Sequence, residues 1–363
     1  MITGHGGNIY KLAAQLNCNP SEIIDMSSNV NPLGPPAGLV SFLKKNINSI
    51  TSLPEVDSNE AILAFSKYYN ISKDRVLAGN GTTQFIYNIP KALCSKKALI
   101  IGPTYSDYED SCIMNKVEYE YFILDESLYY YPDLDLLKKT IVNFDTIFIC
   151  NPNNPTGVLI NRLDLESLIR SFPKKNFIVD ESYMPFARGG KEKSILNSDF
   201  KNLIVLNSMS KIFKIPGLRI GFLIASKENI NKFLPYVLPW NVNSIAQAAV
   251  YYLMSPENNA QDFIEKTVDF LEKERIRFVK QFEKISEVKI FPSSTSFILF
   301  KLGKNLSAKD ICERLSSEKI LIRNCSNFQG LSDQNLRVSM KTPFLNRLIA
   351  KKLVDMISNL GGK

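Results

Sequence analysis

The chain has 363 residues, 45% hydrophobic and 22% charged, with 44 Lys and Arg against 36 Asp and Glu, a net charge of +8. That is the balance of an ordinary globular protein long enough to bury a core without staples, and no apolar run approaches the roughly 18 residues of a membrane helix. The lysines occur as scattered pairs such as Lys44-Lys45, Lys96-Lys97 and Lys174-Lys175, so the charge suits an anionic small substrate better than nucleic acid.

The chain opens "MITGHGGNIY", in which His5 is the only histidine and Gly6 and Gly7 follow it. No apolar stretch precedes this motif, so no export leader is expected. The six cysteines form no CxxC pair, which argues against a zinc site, predicts no metal, and fits a reduced cytoplasmic protein. Next come "EIIDMSSNVNPLGPP" and "LAGNGTTQ". Then short β-branched runs recur: "KALIIG" (97–102), "DTIFICN" (145–151), "NFIVDES" (176–182), "NLIVLNS" (202–208) and "RIGFLIA" (219–225). Such runs read as strands buried on both faces, and helical stretches such as "RLDLESLIRSF" (162–172) lie between them. The alternation predicts an α/β unit with a mostly parallel sheet. A long helix is expected at about 256–286. The tail then reads as a smaller α+β unit, with strands in "VKIFPSSTSFILFKL", "KILIRNCS" and "NLRVSMK" and helices at about 307–318 and 343–359. The expected division is an N-terminal arm (1–29) packed near the small domain, a large domain (30–232) and a small C-terminal domain (233–363).

In an open α/β sheet, ligands bind beyond the carboxyl ends of the strands. There this chain carries "NPNNPTG", "DESY" and "SMSKIFKIPGLRIG" in that order. Each alone could be turn chemistry. Together they resemble the fold-type I pyridoxal 5'-phosphate (PLP) enzymes, the aspartate aminotransferase superfamily, over nearly the whole chain. The resemblance implies the fold of those enzymes, a mostly parallel mixed sheet in the large domain plus the small α+β domain, and PLP as cofactor. It assigns Lys211 as the amine to which the cofactor attaches and Asp180 as the carboxylate that keeps the pyridine nitrogen protonated. It assigns Asn154 and Tyr183 as donors to the ring's phenolic oxygen. Gly81, Thr82, Thr83, Ser208, Ser210 and Arg219 would hold the phosphate. Tyr105 would stack on the ring.

The two ends of the chain narrow the resemblance. "GHGGN" and "ILIRNCSNFQGL" with "LRVSM" look like the threonine-phosphate decarboxylases of cobamide biosynthesis, close kin of the histidinol-phosphate aminotransferases. That likeness implies decarboxylation of L-threonine O-3-phosphate, with L-serine O-phosphate as an alternative substrate. It places His5, Gly6, Asn29, Asn154, Arg323 and Arg337 in the substrate pocket. Arginine forks and an imidazole suit a substrate carrying a phosphate and a carboxylate. Proton return would fall to Lys211 or Tyr183, and the substrate phosphate is expected on the arginine and His5 side, turning the carboxylate out of the cofactor plane. The alternative is an aminotransferase acting on histidinol phosphate or an aromatic amino acid. A homodimer is implied, without membrane or nucleic acid partners. One departure stands out: where the family usually has a tyrosine before a proline, reaching the neighbouring subunit's site, this chain has Leu53 in "TSLPEVD".

Overall fold

The computed structural model describes residues 6–361. After a two-residue strand β1 (Ile24–Asp25) come the strands of the large sheet: β2 (Val76–Gly79), β3 (Lys97–Gly102), β4 (Glu118–Ile123), β5 (Thr146–Cys150), β6 (Asn176–Asp180), β7 (Leu203–Ser208) and β8 (Gly221–Ala225). Their order is β2-β8-β7-β6-β5-β3-β4. Neighbours pair in parallel except around β8, which runs antiparallel to β2 and β7. The five apolar runs are all strands of this sheet. Alternate residues explain their unbroken hydrophobicity: Ile147 and Ile149 enter one core, while Phe148 and Cys150 enter another on the opposite face.

The second sheet is antiparallel, built from β9 (Val288–Ile290), β10 (Phe297–Leu302), β12 (Arg323–Asn324) and β13 (Asn335–Ser339), in the order β12-β13-β10-β9. Between β10 and β12, β11 (Ile320–Leu321) pairs in parallel with β1, so this part of the arm is stitched to the small unit. The helices Ala308–Ser317 and Pro343–Gly361 follow the expected positions.

One expectation needs correcting. The long helix spans Ala260–Lys280 rather than 256–286, because the Asn259 side chain caps it and Asn259 itself sits at φ 45°. The helix Ser244–Met254 packs on the helices Asn59–Tyr69 and Leu39–Lys45. The two units share one core in which Tyr183 of the large unit meets Phe297 of the small one edge-on, ring centroids 5.2 Å apart. No described helix is long and apolar enough to cross a membrane.

Candidate active site

A cavity of about 650 Å³ opens at the carboxyl edge of the large sheet. The strand ends supply its floor. Asp180 closes β6 and is buried at 4% exposure. Its carboxylate accepts from Tyr108 Oη at 2.9 Å, from Ser182 N at 2.9 Å and from Ser182 Oγ at 2.5 Å. Burial still pushes this carboxyl above its ordinary range, against those bonds and the Lys211 charge. A cation set beside Asp180 would restore its ionised form, which is what a protonated pyridine nitrogen provides. Lys211, one turn past the end of β7, also lines the cavity. Burial, then the Arg219 charge, depress its amine below the ordinary lysine range, while Asp180 opposes them. A depressed amine is the more nucleophilic one.

At one end, the helix Gly81–Ala92 presents its N-terminus together with Thr82 and Thr83. Gly81 has φ +73°, and a Cβ there would lie 2.7 Å from Arg219 Nη2. A Cβ on Gly221 would lie 2.5 Å from Thr82 N. These glycines leave room for Arg219 and the helix start to converge on one anion. Ser208 and Ser210 border the same end. The Ser210 hydroxyl donates to Ile220 O at 3.2 Å, so here it is spent on the backbone, whereas the Ser208 hydroxyl is engaged by no described residue.

On the remaining walls stand Tyr105, Asn154 and Tyr183. Arg337 Nη1 donates to Asn154 Oδ1. Because arginine only donates, this fixes the amide orientation and leaves Asn154 Nδ2 as a donor for the cavity. Tyr183 Oη accepts from Asn29 Nδ2 at 3.2 Å, which leaves its own proton to give, and burial pushes that phenol up to about 12. Tyr105 stands edge-on to Tyr108, centroids 5.9 Å apart. All eleven residues assigned to the cofactor thus line one cavity. Three others that sequence reasoning missed line it too: Tyr108, Ser182 and Cys150. The spacing of Tyr105 and Tyr108 at i, i+3 was the available signal for Tyr108. The cavity therefore offers a buried carboxylate, a depressed amine, unspent donors from Asn154 and Tyr183, and an anion cradle, a set that fits PLP.

The substrate assignments lie beside it. Arg323 and Arg337 stand directly opposite each other on β12 and β13. Arg337 is buried at 4% exposure, and its Nε has no partner among the described residues. Its Nη2 donates to Ser27 O at 2.7 Å, and its guanidinium lies 5.1 Å from the Phe297 ring centre. Arg323 Nη2 donates to Asn327 Oδ1 at 2.7 Å. Burial lowers the pKa of both guanidiniums, and the Arg337 charge lowers that of Arg323 further. Like charges facing across a strand pair are unfavourable unless an anion lies between them. A Cβ on Gly6 would meet Arg323 Cδ at 3.4 Å and Arg337 Nη2 at 3.6 Å, so the arm packs on this pair. Asn29 joins it through Ser339 Oγ, which donates to Asn29 Oδ1 at 2.7 Å. His5 lies outside the described residues.

A larger cavity, about 920 Å³, opens near Tyr68, Tyr69 and Glu181. Glu181 accepts from Ser194 Oγ and from Ile195 N, and Arg188 pairs with Asp269 at 2.6 Å and Glu272 at 2.5 Å. Alternation along the strand end separates Glu181, which lines this second space, from Asp180, which lines the first.

Residues 21–353 match the family described as Aminotransferase class I and II. The chain belongs to that family. It is 34% identical over 98% of its length to the Adenosylcobalamin biosynthesis bifunctional protein CobDQ of Leptospira interrogans, and spans only 41% of that longer relative. It is 27% identical to the threonine-phosphate decarboxylase of Salmonella typhimurium, covering 99% of this chain and 98% of the relative. The crystal structure of the histidinol-phosphate aminotransferase from Clostridium acetobutylicum superposes with a TM-score of 0.85 at 29% identity, over 93% of this chain and all of that one.

Proposed function

We propose that this chain is a PLP-dependent decarboxylase of L-threonine O-3-phosphate, or of L-serine O-phosphate, acting in cobamide biosynthesis. The observation that carries the reading is the Arg323–Arg337 pair, facing across β12 and β13 with the arm's Gly6 packed on both. Two adjacent guanidiniums suit a doubly anionic group better than a neutral or aromatic side chain. The relatives named for threonine-phosphate decarboxylation and adenosylcobalamin biosynthesis support the same choice.

When bound, the cofactor supplies an electron sink for the pair released at the substrate's Cα. Lys211 would anchor it, and Asp180, held by Tyr108 and Ser182, would face its ring nitrogen. Asn154 Nδ2 and the Tyr183 hydroxyl would hold its phenolic oxygen. The helix start at Gly81, with Thr82, Thr83, Ser208, Ser210 and Arg219, would hold its phosphate, and Tyr105 would cover the ring. Arg323, Arg337, Asn29 and the arm at His5 and Gly6 would bind the substrate phosphate, leaving the substrate carboxylate unpaired by either arginine. After CO2 leaves, the Lys211 amine or the Tyr183 hydroxyl returns a proton to Cα.

The assay is product analysis with L-threonine O-3-phosphate. CO2 and an amino-alcohol phosphate are expected in equal amounts. Keto acid without CO2 would establish the aminotransferase reading instead. We also infer a homodimer. Ile50 and Leu53 are 64% and 75% exposed. Trp240 N donates to Val56 O at 3.0 Å, which brings Trp240 beside that segment. A contiguous apolar patch of this kind suits a second copy of the chain.

A further inference from the structure

We propose that Lys341 is a positioning residue of the substrate pocket, which clamps residues 25–31 against the strand that carries Arg337 and so fixes where Arg337 and Asn29 stand. This role rests on the decarboxylase reading of the same site.

The geometry is a period-two device. Residues 337, 339 and 341 point to one side of β13 and its extension. Each grips a different residue of one segment. Arg337 Nη2 donates to Ser27 O at 2.7 Å, Ser339 Oγ to Asn29 Oδ1 at 2.7 Å, and Lys341 Nζ to Ser28 O at 2.8 Å. Lys341 Nζ also reaches Ser28 Oγ at 3.4 Å. The backbone of Lys341 is itself held on both sides. Its N–H donates to Asn346 Oδ1 at 2.7 Å and its carbonyl accepts from Asn346 Nδ2 at 3.0 Å. Asn346 in turn donates to the buried Glu274 at 2.9 Å.

The gripped segment reaches the arm, Tyr183 and the backbone at Lys211. Ser27 Oγ accepts from Gly7 N of the arm at 2.8 Å. Asn29 donates to Tyr183 Oη. Asn31 N donates to Lys211 O at 3.0 Å, and Asn31 Nδ2 donates to Ile212 O at 2.7 Å and Thr267 Oγ1 at 2.8 Å. Asp25 Oδ1 shapes the turn by accepting from Ser27 N, Ser27 Oγ and Ser28 N. Holding Ser28 therefore holds the arm, the substrate arginine and the cofactor tyrosine in one register.

Stability does not explain Lys341. The charged groups facing it are Asp25, Lys214 and Arg337, two cations against one anion, and burial with those cations holds its amine down to about 8. A flexible apolar side chain would fill the same place without a desolvated charge.

The test uses the holoenzyme with Lys341→Met and Lys341→Arg. In Lys341→Met the KM for L-threonine O-3-phosphate should rise about tenfold, the loss of one charge-assisted hydrogen bond, with kcat changed by no more than about threefold. Lys341→Arg should restore most of the KM. The wild-type KM should climb as pH passes about 8, where the ammonium discharges, and the Lys341→Arg KM should not. Amide hydrogen exchange at Gly7, Asn31 and Ser339 should accelerate in Lys341→Met. Unchanged exchange at those three amides overturns the clamp, whatever the substrate. Faster exchange with an unchanged KM overturns its role in substrate positioning. If the wild type does not turn over L-threonine O-3-phosphate, the decarboxylase reading falls, and exchange alone decides the clamp.

Discussion

Replacing Lys341 with methionine should make the protein more stable, in a pH-dependent way. The folded chain holds this amine at about 8, against an ordinary 10.5. Between those values the unfolded state binds more protons than the folded one, so this group's contribution to stability rises with pH. Below pH 8 the buried charge destabilises the fold by about 3 kcal/mol, since each pKa unit is worth about 1.4 kcal/mol. Methionine carries no charge and no such pH dependence. The stability advantage of Lys341→Met over wild type should therefore shrink by about 2 kcal/mol between pH 7 and pH 9.5. Denaturant unfolding of both proteins at several pH values, each with saturating cofactor, measures that difference. Other lysines and tyrosines titrate in the same range, but they cancel in the comparison. A difference between the two proteins that stays flat with pH refutes the reasoning, and a variant less stable than wild type at pH 7 refutes the claim that Lys341 is held for position.

Gly81→Ala should weaken cofactor binding more than tenfold while the cofactor-free chain still folds, because a Cβ at φ +73° would sit 2.7 Å from Arg219 Nη2; absorbance titration with PLP checks it. Arg323→Gln should raise the KM for the phosphorylated amino acid by about tenfold or more and leave cofactor affinity unchanged, since it removes one of two forks and touches no part of the cofactor cavity; steady-state kinetics beside the same titration read both. Leu53→Asp should shift the assembly toward monomer in sedimentation velocity, as it places a charge on a residue 75% exposed within the apolar patch.

What was legible in the sequence follows from what each residue needs. Lys211, Asp180 and Asn154 sit at strand ends with few side-chain types able to do their chemistry, and their spacing survives in one dimension. The five buried strands were legible because helices cover both faces and leave no polar alternation. The edge strand β4, with its half-exposed "EYEYFI", carried a weaker signal, and β2 is only four residues long. The direction of β8 had no local signature, since an antiparallel strand buried between two others reads like a parallel one. Periodic Glu, Lys and Phe overran the long helix, while the asparagine caps in "PENNA" that begin it at Ala260 were the better guide. Lys341 was hidden for a different reason. It is one of 44 cations, and its partner Ser28 lies 313 residues away, so only the register of β13 singles it out.

The reversed strand β8 makes the chain between β7 and β8 a closed ring. Ser208 pairs with Gly221 across the two strands, and the intervening loop carries Lys211 near one foot and Arg219 near the other. With the roles proposed above, the covalent anchor and the phosphate anchor of the cofactor would be two marks on one short ruler whose ends are bonded together. Its length in residues would then answer to the size of the cofactor rather than to the substrate, and changes that retune the substrate could accumulate in the arm and on β12 and β13 without moving either mark.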